Sequence, residues 1–151
     1  MTYLPDRTRR RALAGLATLA IAVTATACAW EPPKGSTTFE VPTSTWEEGD
    51  GSDAALVSGD LVIDDHGCTF LDDAMTLGVV FPTAIGVTQE DGTRYIVHER
   101  TGEVFAAEGE TLTYGGGYAT MVGAWSEVCS STPTEVATVQ DVPKGDPLNR
   151  P

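Results

Sequence analysis

The chain of 151 residues carries 22 Asp and Glu against nine Lys and Arg, a formal net charge of −13. A surface so acidic repels nucleic-acid phosphates and anionic lipid headgroups, which argues against either polymer as a binding partner. It would instead attract a divalent ion, a cationic ligand or a basic protein patch, and it also keeps a protein soluble outside the cell.

The basic residues are unevenly placed, because Arg7, Arg9, Arg10 and Arg11 precede an apolar run over residues 12–27 that ends in Ala25-Thr26-Ala27-Cys28. This is the layout of an export signal: a positive start, a short apolar middle and small residues at a cleavage site. The run is shorter than the roughly 20 residues a helix needs to cross a bilayer, so it is expected to be cut. Residues 1–27 therefore read as a signal peptide. Ala25-Thr26-Ala27-Cys28 resembles the lipobox of bacterial lipoproteins, which implies a diacylglyceryl group on Cys28 and a membrane-anchored mature chain. Ala25 stands where such motifs usually carry leucine, and Ala25 with Ala27 also suits ordinary cleavage, which would release a soluble secreted protein. Thr8-Arg9-Arg10-Arg11-Ala12-Leu13 resembles a twin-arginine signal, with an ordinary basic leader as the alternative.

From Cys28 onward, five basic and 21 acidic residues remain. Residues 28–53 are rich in Pro, Gly, Ser, Thr and acids and show no period of two or 3.6, so they read as a flexible acidic linker that lifts the folded part off the membrane. Trp30 and Trp46 are its exceptions. Trp30 is placed to rest among lipid headgroups, and Trp46 is left open between docking on the domain and exposure.

Residues 54–142 carry strand signals, and residues 143–151 read as a disordered polar tail. Val57, Gly59, Leu61 and Ile63 alternate with Leu56, Ser58, Asp60 and Val62, giving one apolar face and a candidate bulge at Gly59. A turn at Asp64-Asp65-His66-Gly67 leads into Cys68-Thr69-Phe70-Leu71, a second strand paired with the first. Leu77-Gly78-Val79-Val80-Phe81 reads as a buried strand, and Pro82 is expected to end it at a sheet edge. Turn signals at Asp91-Gly92, Thr101-Gly102 and Glu108-Gly109 separate strands centred on Tyr95-Ile96-Val97, on Val104-Phe105 and on Leu112. Gly115-Gly116-Gly117 marks a corner or a close backbone approach, residues 118–125 are open between strand and helix, and Glu135-Val136-Ala137-Thr138-Val139 is the closing strand. Short strands at regular intervals predict an all-β fold, a small antiparallel OB-like barrel.

Gly67-Cys68, Val79-Val80-Phe81-Pro82, Thr101-Gly102-Glu103-Val104, Glu108-Gly109-Glu110 and Gly115-Gly116-Gly117-Tyr118 together resemble small exported lipoproteins of actinobacterial type. The resemblance spans residues 56–139 and implies a compact OB-like barrel with no assigned activity.

The chemistry-bearing motifs are weak. Asp64-Asp65-His66 and Asp72-Asp73 lack the series of a calcium loop, and two histidines, His66 and His98, do not have zinc-module spacing. Ser126, Ser130 and Ser131 lie outside any Gly-x-Ser-x-Gly context. No cofactor, metal or catalytic residue is expected, and a weak hydrolase of envelope polymers is the alternative to a binding or accessory module. With Cys28 lipidated, Cys68 and Cys129 remain as a pair, and an exported protein oxidises such a pair to a disulfide.

Overall fold

The structure, a computed structural model, describes residues 30–51, 53–72, 74–119 and 123–148. The expected signal peptide and the expected lipidation site at Cys28 lie outside these residues. Within them run β1 (Thr37–Phe39), β2 (Thr43–Ser44), β3 (Ala55–Asp60), β4 (Val62–Ile63), β5 (Thr69–Phe70), β6 (Leu77–Pro82), β7 (Ala84–Thr88), β8 (Arg94–His98), β9 (Val104–Ala107), β10 (Thr111–Ala119), α1 (Gly123–Val128) and β11 (Glu135–Val139). The fold is nearly all β, with curled sheets that form a half-barrel.

The period-two pattern sets the first strands. Val57, Leu61 and Ile63 point into the core, while Leu56, Ser58 and Asp60 face outward. Gly59 is not a bulge: its register with Leu112 is regular, and a Cβ there would lie 2.5 Å from the Leu71 carbonyl oxygen. The larger sheet has the order β3-β10-β11-β6-β5-β4, so its two outermost strands are consecutive in sequence and meet at Leu61. A sheet whose ends are joined in this way has to curl.

β6 departs from the edge position its proline suggested. It lies inside the sheet between β11 and β5, with β2 paired to its end, where Ser44 is in register with Pro82. Burial on both faces explains its unbroken apolar run: Val79 and Phe81 enter the main core, while Val80 packs on the opposite side with Phe70 and Trp125. The β6 pairings with β11 and β2 are parallel, which corrects the purely antiparallel expectation. A parallel pair needs a long connection, and the chain between β6 and β11 supplies one by first building β7 to β10 and α1.

β7, β8 and β9 form a second sheet by successive hairpins, with β1 on its outer edge. Thr83, at φ 41°, is the corner between β6 and β7. The glycine triplet is a close approach within β10 rather than a corner. Gly115 is the last residue in register with β3 and Gly116 the first in register with β11, and a Cβ on Gly116 would collide with the Thr138 carbonyl.

Two segments expected to be unstructured are part of the fold. Thr37–Phe39 pairs with β7, and the Phe39 ring lies over Gly86, whose missing side chain makes room for it. Val41 is buried. Residues 145–148 of the tail also dock: the Gly145 amide donates to the Val104 carbonyl at 3.0 Å, and the Leu148 amide to the Gly102 carbonyl at 2.9 Å. Backbone hydrogen bonding at sheet edges leaves little trace in composition, so Pro-rich and polar segments concealed these edge pairings.

Candidate functional site

Cys68 and Cys129 are joined by a disulfide, with their Cα atoms 5.7 Å apart. The bond ties the start of β5 to the end of α1, in a small core with Phe70, Val80, Trp125 and Val136. Gly78 faces the Trp125 ring, where a Cβ would lie 2.8 Å from its nearest carbon. The indole meets Phe70 edge-on, with ring centroids 5.0 Å apart, and donates to the Ser131 carbonyl at 2.9 Å. The disulfide region is therefore built for cohesion.

The acidic clusters serve turns. Asp64 accepts from the amides of His66 and Cys68 at 2.8 and 2.9 Å, closing the loop that delivers Cys68. Asp72 accepts from the Thr76 amide and hydroxyl, and the hydroxyl bond holds its carboxyl below the usual range. Among the described residues, no group of three His, Cys, Asp or Glu side chains is placed to hold a metal ion.

A concave feature of larger volume lies elsewhere. A cleft of about 560 Å³ opens where the β6–β7 corner, the β8–β9 turn, the 45–51 loop and the segment after β11 converge. Trp46 and Pro82 give it apolar surface, and Glu47, Glu48, Glu103 and Asp141 surround it together with His98, Arg100 and Thr101. The loop bearing Trp46 is held by its own bonds: the indole donates to the Gly51 carbonyl at 3.2 Å, and the Glu47 amide to the Asp50 carboxylate at 3.0 Å. Trp46, undecided from sequence, is thus half-buried at the rim of the cleft.

On the other wall, the Thr101 hydroxyl donates to Glu103 at 2.8 Å and lies 3.3 Å from His98 Nδ1. With the hydroxyl proton committed to Glu103, Nδ1–H donates to Thr101. A hydrolytic triad needs the imidazole between hydroxyl and carboxylate; here the hydroxyl stands between the other two. The arrangement instead braces the turn, which the Gly102 amide closes on the His98 carbonyl at 2.8 Å. Burial pushes the His98 imidazole below its ordinary pKa, and the nearby Arg100 charge adds to that effect.

Sequence reasoning did not find this cleft. Its residues come from four separate stretches, and the one local signal was Trp46-Glu47-Glu48 within an otherwise small and polar segment. In comparisons with protein-family models, curated proteins and solved structures, no match to the chain is found.

Proposed function

We propose that this chain is a lipid-anchored, non-enzymatic binding or accessory module at the extracytoplasmic face of the cell envelope, and that its cleft receives a cationic ligand or a basic protein segment. The observation that carries the second half is the cleft lining: an indole and four carboxylates, of which Asp141 is paired with Lys144, against the one guanidinium of Arg100. An ammonium or guanidinium group gains from both, through charge attraction and through the aromatic face. The export-signal pattern ending at Cys28, the Cys68–Cys129 disulfide and the resemblance to small exported lipoproteins support the first half.

The test is titration of the purified protein with choline and with a lysine-rich peptide, read by Trp fluorescence at low and at physiological salt. Binding that weakens as salt rises and is lost in Trp46→Ala supports the reading. Binding unaffected by salt or by Trp46→Ala contradicts it.

A further inference from the structure

The lipid site and the folded domain are closer in sequence than a tether would make them. Trp30 follows Cys28 by two residues, and it is already part of the fold. Its amide donates to the Arg100 carbonyl at 3.3 Å, and its indole covers Gly102, where any side chain would collide with the ring. Gly102 adopts φ 71° to make the turn, so the backbone geometry that closes β8 onto β9 also creates the seat for the indole. Two residues of extended chain span about 7 Å at most. That is comparable with a headgroup layer of about 5–8 Å on each side of a bilayer.

We infer that the domain is held with its β8–β9 turn, residues 98–103, against the bilayer surface, so that the cleft opens beside the headgroups. This rests on the lipidation of Cys28 proposed above. His98, Arg100, Thr101 and Glu103 belong both to that turn and to the cleft wall. The cleft therefore meets partners carried at the membrane surface before those free in the surrounding medium. The surface fits a zwitterionic headgroup layer: Glu31, Glu99 and Glu103 flank Trp30 and the turn, and a strongly anionic layer would repel them. The opposite end of the sheet, the Asp91-Gly92 turn, is separated from residues 98–103 by the whole of β8, about 15 Å of strand.

The experiment uses the full chain purified from membranes and reconstituted into phosphatidylcholine vesicles containing a nickel-chelating lipid. A nitroxide is attached at Arg100→Cys or at Asp91→Cys, and its relaxation by the bound nickel is measured alongside flotation of the vesicles. A several-fold stronger relaxation at position 100 than at position 91, reduced when a Gly-Ser spacer is inserted between Ala29 and Trp30, is the expected result. Equal relaxation at both positions in a protein that floats overturns the orientation and leaves the anchor standing. A protein that does not float overturns both.

Discussion

The two ends of this domain are held by different physics. Around α1, cohesion comes from burial: Trp125, Phe70, Val80 and Val136 are almost wholly removed from water, and a disulfide crosses the cluster. Around the β8–β9 turn, it comes from polar bonds between short segments that are far apart in sequence. There Trp30 and the segment after β11 are fixed largely by single backbone amide contacts, and the 45–51 loop by short bonds within itself. A close-packed end resists change. An end assembled from turns leaves a cleft lined by charge, and recognition fits there better than in the filled core.

The largest effect expected is at the packed end. Replacing Cys68 and Cys129 by Ala releases a link across 61 positions, which in the chain-entropy model costs about 4 kcal/mol. A small domain is stable by about 5–15 kcal/mol, so the melting temperature should fall steeply while the residual folded signal stays β-rich. A shift of a degree or two would mean that the two ends differ less than the packing suggests. Trp125→Ala removes a fully buried indole, its edge contact with Phe70 and its bond to Ser131, and should cost about 3–5 kcal/mol by denaturant titration. Gly78→Ala presses a methyl group against that ring and should cost about 1–3 kcal/mol in the same assay.

At the cleft the expected pattern reverses. Glu47→Gln with Glu48→Gln should leave stability within about 0.5 kcal/mol, since both side chains are exposed. It should weaken binding of a lysine-rich peptide and flatten its salt dependence. If stability drops and peptide binding does not, the cleft is a structural feature and the contrast between the ends fails.

The smallest effect concerns His98. Its folded-state pKa lies below the ordinary 6.5, so the unfolded chain binds a proton more readily than the folded one. Stability should be fullest above pH 6.5 and decline as the pH falls from there through the lower folded value. His98→Asn should remove that part of the acid dependence in melting curves taken across this window.

The same contrast explains what could be read from the sequence. Burial writes itself into local pattern: the alternation of Val57, Leu61 and Ile63, the apolar run of β6 and the closing strand at residues 135–139 were all legible. So was the cysteine pair, which the expectation of export singled out for oxidation and which the structure joins. Long-range backbone pairing leaves no such mark. β1 and the docked tail were hidden in polar segments, β7 was concealed by a glycine at its centre, and the parallel partners of β6 were set by topology rather than by residue type. The cleft was the least legible feature, since four distant stretches build it and no adjacent residues announce it.

The proposed membrane-facing orientation of the cleft requires that Cys28 be the acylated first residue of the mature protein. The most direct measurement is the mass of the N-terminal fragment of protein purified from the membrane fraction. The expected fragment begins at Cys28 and carries a diacylglyceryl group on its sulfur. An unacylated fragment, with the protein recovered in the medium, would contradict it.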